Sequence, residues 1–317
     1  MRGSTQSAQS CYSRRMNEAL AKASSLNRVS GAILGDWGST RLRLWREERG
    51  EWVLSGEGQG VLAARDECAE VLAEILAAMG ESEGATVWLC GMAGARIGLL
   101  ETPYLPVPAS AGEWRAAFAS TGIAGHRVRI APGLRSPDAA TPDVMRGEET
   151  QIFGALALEG DAGREDALFL CPGTHSKWAR VEGERIIDFT TVPTGEMYAR
   201  LLGSSLAVAG AEQDDAGFEH GLSRAGDGVA ALFEARAAQL LQGKGDPWAR
   251  GYLSGLVIGM ELHAMKARFA DAGIVNIIGD AGLAELYSRA LRVHGVKARC
   301  LPADRCTLAG LELALDD

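Results

Sequence analysis

The same order of local patterns occurs twice in this 317-residue sequence. Residues 32–54 begin with the apolar run Ala32-Ile33-Leu34, continue through a loop of glycine and hydroxyl residues, and end in an alternating segment that predicts a β-hairpin. Residues 167–189 repeat this order, with an apolar run, a second polar loop and a second hairpin. The chain is therefore predicted to contain a duplicated unit of strand, loop and hairpin.

Helix-like and strand-like patterns alternate along the remaining sequence. Residues 65–79 carry apolar residues at helical spacing, residues 86–90 form an apolar run typical of a buried strand, and similar alternation continues from about residue 250 to the end. Such alternation is typical of layered α/β proteins. Together with the duplication, it predicts an α/β fold of the two-domain actin-like ATPase (ribonuclease H-like) class, with a duplicated βββαβα core and a ligand cleft between the domains.

The length of the chain favours two domains, because single hydrophobic cores stop growing beyond roughly 250–300 residues. Glycine, proline, serine and aspartate cluster at residues 132–142, which predicts an N-terminal domain over residues 31–140 and a C-terminal domain over residues 141–317. Residues 1–30 are basic and lack the continuous apolar stretch of a secretory signal. We expect them to be a disordered extension, a tag remnant, or the result of a start assigned upstream of Met16.

Composition restricts the partners that the chain can have. The 32 basic and 41 acidic residues give a net charge of −9, which predicts no nucleic-acid partner. No apolar run reaches the roughly 18–20 residues that a membrane span needs, so no membrane partner is expected. The six cysteines lack zinc-site spacing and are expected to be reduced thiols in a cytoplasmic protein. These features favour a small-molecule substrate and are compatible with a homodimer.

Each repeat carries a loop whose residue types suit phosphate binding, because glycine permits close backbone approach and hydroxyl groups donate hydrogen bonds. The first loop contains Gly38, Ser39 and Thr40, and the second loop, residues 172–177, contains Gly173, Thr174, His175 and Lys177. Asp36, at the end of the first strand, is suited to hold Mg²⁺ through water molecules. Phosphoryl transfer depends on positioning and charge neutralisation, so two such loops favour phosphoryl-transfer chemistry. Taken alone, the first loop is also compatible with a tight turn beside a solvated aspartate.

Candidate general bases precede the predicted helix 152–158. Glu148 and Glu149 follow Arg146-Gly147, and either carboxylate could take the proton from an attacking hydroxyl group. Acidic residues at a helix N-terminus also stabilise the helix dipole, which is the structural alternative. The sequence does not decide which of the two glutamates is the base.

Further candidates concern the substrate and the nucleotide. Arg96 and Arg146 are predicted to bind a substrate carboxylate, since the guanidinium group pairs with carboxylates in a bidentate manner. Met92, in the same glycine loop as Arg96, is also predicted to contact the substrate. The predicted nucleotide contacts are Gly195, Gly279 and Asp280.

Five ordered segments of the chain, from about residue 31 onwards, resemble the 2-dehydro-3-deoxygalactonokinase family. They are Asp36-Trp37-Gly38-Ser39-Thr40; Gly91-Met92-Ala93-Gly94 with Pro103-Tyr104-Leu105 and Val107-Pro108-Ala109; Val144-Met145-Arg146-Gly147-Glu148-Glu149-Thr150-Gln151; Pro172-Gly173-Thr174-His175-Ser176-Lys177-Trp178; and Thr191 to Glu196. The third and fourth of these strings are much more restrictive than a glycine loop alone.

The resemblance implies an actin-like fold and transfer of the ATP γ-phosphoryl group to the 6-hydroxyl of 2-dehydro-3-deoxy-D-galactonate, a step in galactonate breakdown. It also implies that Mg²⁺ accompanies ATP, that the two loops bind phosphate, that Asp36 lies on the metal side, and that Glu148 or Glu149 is the base. Two alternatives remain open at this point. One is a kinase of the same fold that acts on another sugar or sugar acid, and the other is a non-catalytic actin-like sensor of nucleotide or sugar.

Overall fold

The computed structural model describes residues 31–315 except for residues 82, 161–165 and 270–271. The expectations for residues 1–30 lie outside the described residues. The strands are β1 (Ala32–Trp37), β2 (Arg41–Glu48), β3 (Glu51–Gln59), β4 (Thr86–Gly91), β5 (Tyr104–Pro106), β6 (Ala109–Ser110), β7 (Ala119–Ile123), β8 (His126–Ile130), β9 (Gly133–Arg135), β10 (Val144–Met145), β11 (Ala167–Cys171), β12 (Ser176–Glu182), β13 (Arg185–Val192), β14 (Ile274–Gly279) and β15 (Lys297–Pro302).

Helices of very different length connect these strands. They are α1 (Val61–Ala64), α2 (Cys68–Ala78), α3 (Ala111–Ala116), α4 (Glu148–Glu159), α5 (Thr194–Leu201), α6 (Asp215–Arg224), α7 (Glu234–Gln242), α8 (Asp246–Phe269), α9 (Ala281–Val293) and α10 (Ala303–Glu312). Short 3₁₀ segments occupy residues 65–67, 92–94 and 225–231. The segment predicted as a helix over residues 65–79 is a 3₁₀ turn at residues 65–67 followed by an α-helix that begins at Cys68. No helix among the described residues is long and apolar enough to cross a membrane.

The two large sheets confirm the predicted duplication. The first has the strand order β3-β2-β1-β4-β8-β7, and the second has the order β15-β14-β11-β12-β13-β6. In the first sheet β1 pairs antiparallel with β2 and parallel with β4. In the second, β11 lies between the hairpin β12–β13 and the parallel strand β14. Each repeat therefore has a hairpin on one side of its first strand and parallel strands on the other, which is the core of the predicted actin-like α/β fold.

Contacts within the chain divide it into two units. The first comprises residues 1–166, 181–188 and 303–317, and the second comprises residues 167–180 and 189–302. The predicted boundary between residues 140 and 141 falls inside the first unit, and the predicted division into domains stays a prediction. Each unit has its own apolar core, formed in the first unit by β1, β2, β4, β8 and α2 and in the second by β11, β14, α8 and α9.

Within the first unit, helices α4 and α10 cross at very close range. A methyl group on Gly154 would overlap the carbonyl oxygen of Cys306, and one on Gly310 would overlap that of Thr150. The glycines therefore let two helix backbones touch, which side chains would otherwise keep about 8–10 Å apart. This contact fixes the direction of α4, and with it the position of the residues in its first turn.

Candidate functional site

The first loop is held by its own backbone. The Gly38 N–H donates to the carbonyl oxygen of Arg41 at 2.9 Å, and the carbonyl groups of Gly38 and Ser39 each accept a bond from the first turn of α1 at 3.1 Å. Among the described residues, the hydroxyl groups of Ser39 and Thr40 have no hydrogen-bond partner. The loop thus presents two hydroxyl groups on a fixed backbone.

Asp36, directly before this loop, is paired with an arginine that the sequence had not singled out. Arg43 on β2 donates to Asp36 Oδ2 at 2.7 Å and also contacts Asp304 in the first turn of α10. Burial raises the pKa of Asp36, and the hydrogen bond and charge of Arg43 oppose that rise. The Asp36 side chain keeps 19% of its exposure, so the carboxylate is still accessible.

Two glycines bring Asp36 close to the start of α4. Gly91, at the end of β4, has φ +76°, and a methyl group there would lie 2.8 Å from the carbonyl oxygen of Trp37 and 3.3 Å from Asp36 Oδ1. Gly147, which precedes α4, has φ +107°, and a methyl group there would lie 3.3 Å from the Cα atom of Gly91. Residues with a Cβ atom rarely adopt these left-handed conformations. The Gly91–Gly147 contact, called the junction below, therefore joins the end of β4, next to Asp36, to the start of α4.

Glu149 is the buried acid of this junction. Its side chain is 0% exposed, both carboxylate oxygens accept the Gly147 N–H at 2.9 and 2.8 Å, and the Thr150 hydroxyl donates to Oε1 at 3.1 Å. Burial is the main reason that the pKa of Glu149 rises to about 7, with the neighbouring charge of Glu148 adding to the effect. Glu148 is only half-buried and accepts the Arg146 N–H at 3.2 Å. The structure thus separates two glutamates that the sequence left equivalent.

Cys90 lies beside Asp36 and was also missed by sequence reasoning. Its sulfur atom is 3.9 Å from Asp36 Oδ1. Burial raises the pKa of the Cys90 thiol, and the charges of Asp36 and Glu149 raise it further. The thiol is therefore neutral.

The two predicted carboxylate-binding arginines have different surroundings. Arg146 is committed to the protein: its guanidinium group donates to the hydroxyl and carbonyl oxygens of Thr102 and to the Tyr104 hydroxyl, and it stacks 4.2 Å from the centre of the Tyr104 ring. Arg96 is exposed and has no hydrogen-bond or ion-pair partner among the described residues. Met92, in the same segment, is partly buried against the core of the first unit.

The second loop, in the second unit, is fixed against α5. The Glu196 N–H donates to the carbonyl oxygen of Thr174 at 2.9 Å, and a methyl group on Gly195 would overlap the carbonyl oxygen of Gly173. His175 Nε2 lies 2.8 Å from a carboxylate oxygen of Glu196.

The other residues of the second unit that were predicted to bind phosphate or nucleotide are buried or make contacts within the fold. Lys177 is buried at the start of β12. Asp280 Oδ1 caps α9 by accepting the N–H groups of Gly282 and Leu283, and Gly279 packs against Pro172. The fold therefore accounts for Gly195, Gly279 and Asp280 without a nucleotide, and their predicted nucleotide contacts stay predictions.

Within the described part of the chain, no three His, Cys, Asp or Glu side chains group closely enough to form a metal cage. Mg²⁺ fits the first unit in a looser way, because this ion keeps several water ligands and usually takes only one or two carboxylates besides substrate phosphates. Asp36 provides one such carboxylate beside the first loop.

A family model described as 2-keto-3-deoxy-galactonokinase matches residues 36–314. The chain belongs to this family. It is 39% identical over 293 residues to a Rhizobium meliloti protein named as a probable 2-dehydro-3-deoxygalactonokinase, with 88% of this chain and 94% of the relative covered. The 2-dehydro-3-deoxygalactonokinase of Escherichia coli K12 is 34% identical over 289 residues, with 87% and 94% covered.

A solved structure agrees with this family membership. The crystal structure of a Sinorhizobium meliloti protein assigned as a 2-dehydro-3-deoxygalactonokinase has a TM-score of 0.80 and 34% identity, over 89% of this chain and 95% of that one. The resemblance inferred from the five sequence segments is thus confirmed, and this member of the kinase family is an enzyme.

The burial of Glu149 predicts a stability that depends on pH. A carboxyl group whose pKa is raised from 4.5 to about 7 on folding binds its proton more tightly in the folded state, so its stabilising contribution is lost as the pH rises from 4.5 to 7. Glu149→Gln removes this titration and keeps an acceptor for the Gly147 N–H. Relative to the wild type, we expect the variant to gain about 2 kcal/mol of unfolding free energy between pH 5 and pH 8.

Urea denaturation at the two pH values measures this difference. The half-exposed neighbour provides the control, since Glu148→Gln should show a clearly smaller change between pH 5 and pH 8. A Glu149→Gln variant whose stability relative to the wild type is the same at both pH values would contradict the raised pKa of Glu149.

Proposed function

We propose that this enzyme transfers the γ-phosphoryl group of ATP to the 6-hydroxyl of 2-dehydro-3-deoxy-D-galactonate. Membership of the kinase family supports the reaction class. The single observation that carries the mechanism is the junction in the first unit, where Gly91 lies close to both Asp36 and Gly147, and the Gly147 N–H donates to the buried Glu149. The cytoplasmic location and the homodimer remain predictions.

Glu149 is the general base in this proposal. A base works best when its pKa lies near the operating pH, and burial has moved the pKa of Glu149 to about 7. The carboxylate takes the proton of the substrate hydroxyl as its oxygen forms a bond to the γ-phosphorus atom, while the bond from that phosphorus to the bridging oxygen breaks and ADP leaves. Glu148 is left with a supporting role at the start of α4.

Asp36 is the proposed partner of Mg²⁺, which would neutralise charge on the ATP phosphates. Arg43 holds the carboxylate in place, since it bridges Asp36 and Asp304. A fixed carboxylate can orient metal-bound water molecules without becoming a direct member of a dense ligand cage. Asp36 would therefore position the ion that neutralises charge, and positioning and charge neutralisation are the main demands of phosphoryl transfer.

The glycines of the two loops support phosphate binding because the fold does not require them. A methyl group on Gly38 would make only an ordinary 3.6 Å contact with the carbonyl oxygen of Arg41, and one on Gly173 would meet nothing within 4 Å. Neither residue has the positive φ that favours glycine. A ligand that needs close approach to the backbone supplies a reason for both glycines. That both loops act on one nucleotide stays a prediction.

Arg96 is the proposed ligand of the substrate carboxylate. The segment that carries it is rigid, with backbone hydrogen bonds from Gly98 to Ala95, from Leu99 to Ala93 and from Thr102 to Gly94. Because Arg146 spends its guanidinium group on Thr102 and Tyr104, Arg96 is the arginine that retains a full set of donors for a ligand.

A panel of acceptors tests the substrate class. ATP-dependent ADP release should be fastest with 2-dehydro-3-deoxygalactonate, slower with other sugar acids, and slowest with neutral and amino sugars. Arg96→Gln should lower kcat/KM for the acid about 10–100-fold, because a bidentate charged contact is lost. The ratio of kcat/KM for the acid to kcat/KM for neutral sugars should therefore fall. Arg127→Gln, an exposed arginine on β8, serves as the control and should leave this preference unchanged.

The contrary outcomes of this panel correspond to the two alternatives. Neutral hexoses that outperform every 2-keto-3-deoxy acid would assign the enzyme to another kinase specificity. Tight ATP binding without turnover on any acceptor would favour the non-catalytic sensor.

The loop glycines give a second test that separates binding from folding. Gly38→Ala and Gly173→Ala should each leave the free energy of unfolding within about 1 kcal/mol of the wild type, because no clash or strained backbone results. Each should nevertheless weaken ATP binding about tenfold or more, measured by calorimetry, if the loops approach phosphates. Gly112→Ala in α3, where the nearest atom is 4.0 Å away, controls for the substitution itself and should change neither quantity appreciably. Unaltered ATP affinity in both loop variants would refute the assignment of the loops.

A further inference from the structure

A buried carboxyl group in the second unit takes no part in the chemistry proposed above. Glu261 lies in α8 and is only 2% exposed. It accepts a hydrogen bond from Trp178 Nε1 at 2.7 Å and another from the Tyr287 hydroxyl at 2.5 Å. The hydroxyl groups of Thr194 and Ser176 also bond to it. Burial raises the pKa of Glu261, and the bonds from these four side chains counteract that effect.

The partners of Glu261, together called the Glu261 network, sit on the segments that hold the second loop. Ser176 closes the loop side of β12 and also lies 2.9 Å from the Tyr287 hydroxyl. Trp178 follows two residues later on the same strand. Thr194 opens α5, the helix whose next two residues contact the backbone of Gly173 and Thr174. Glu261 therefore connects the start of β12 and the start of α5, the two segments that hold the second loop, to the long helix α8.

Stability alone gives no reason for a carboxylate at this place. A buried ionisable group pays a desolvation cost, and well-packed apolar residues of similar volume are often as stable or more so. What hydrogen bonds add is direction, since each donor must keep its distance and angle to one acceptor. The four partners are all nine-tenths or more buried, so water cannot replace any of them.

We propose that Glu261 is a positioning residue for the second loop. It holds Thr174 and the loop backbone in the conformation that binds nucleotide phosphate. The residue acts through Trp178 and Thr194 and touches no substrate. This inference rests on the proposed phosphate-binding role of the second loop.

A double-mutant cycle on ATP affinity tests it. Glu261→Gln retains the shape of the side chain but replaces one acceptor oxygen by an NH₂ group, so the four donors around it are left with a single acceptor oxygen. We expect ATP binding, measured by calorimetry without any acceptor substrate, to weaken about tenfold, while KM for the sugar acid changes by less than about twofold. Added to Thr174→Ala, the substitution should cause little further loss, because both changes disable the same contact.

Two buried tyrosines supply a milder, matched comparison that remains informative if Glu261→Gln folds poorly. Tyr287→Phe deletes the hydroxyl that contacts Glu261, whereas Tyr252→Phe deletes a hydroxyl bonded to Glu234 and to the carbonyl oxygen of Ala231. Tyr287→Phe should weaken ATP binding and Tyr252→Phe should not.

Unchanged ATP affinity in the Glu261 and Tyr287 variants overturns the inference, as does full additivity with Thr174→Ala or an equal loss in both tyrosine variants. Because ATP binding is read without the acceptor, a wrong sugar acid in the substrate panel leaves this result interpretable. Conversely, a Thr174→Ala variant with unaltered ATP affinity would show that the proposed loop function, and not only Glu261, has failed.

Discussion

The removal of one carboxyl group from water is the constraint on which the first unit depends. Glu149 has no exposed surface, and the hydrogen bonds that replace its lost water come from the backbone of Gly147, its own backbone and the hydroxyl of Thr150. The environment therefore favours the protonated form, and the pKa rises to about 7. An acid of this kind is unfavourable for stability above neutral pH, yet it is well matched to accepting a proton at neutral pH.

The surrounding structure serves to hold that carboxyl group where it is. Helix α4 is fixed by its glycine-mediated contact with α10, and its first turn is fixed by the meeting of Gly147 with Gly91. The same helix α10 supplies Asp304 to the ion pair that orients Asp36. The crossing of α4 and α10 thus positions both acids of the proposed reaction. Asp36 would hold the metal ion, and Glu149 would accept the proton. In the second unit, Glu261 has the analogous task of fixing a loop rather than reacting.

Much of this architecture could be predicted from the sequence, because it is encoded locally. Apolar runs and alternating segments give strands β1 to β3 and β11 to β13, and the Arg49-Gly50 turn between β2 and β3 lies where the hairpin pattern requires it. The ordered strings around Asp36, Glu149 and Gly173 were enough to identify the family. The alternation of helix and strand after residue 246 likewise follows from short-range periodicity.

What the sequence did not reveal depends on contacts between distant segments. Arg43 and Asp304 lie far apart in the chain, and nothing in either neighbourhood indicates that they share Asp36. The choice between Glu148 and Glu149 depends on which side of α4 faces the core, and the helix begins at Glu148, earlier than predicted. The packing of Arg146 on Tyr104 and its hydrogen bond to Thr102 likewise join segments about 40 residues apart, and its predicted contact with the substrate carboxylate stays a prediction. The association of α10 with the first unit arises from backbone contact at Gly154 and Gly310, for which hydrophobic periodicity carries no signal.

The pH dependence of the chemical step tests the role of Glu149 most directly. Single-turnover phosphoryl transfer, followed by rapid quench with saturating ATP and sugar acid, isolates this step from product release. Because the ionised carboxylate is the active form, the rate should rise with pH through a single titration near pH 7, the value set by burial, and then level off. In Glu149→Gln the rate should be lower by about two to four orders of magnitude and lose that titration. A wild-type rate that does not change between pH 5.5 and 8.5, or a Glu149→Gln variant that keeps the same pH profile, would contradict the account.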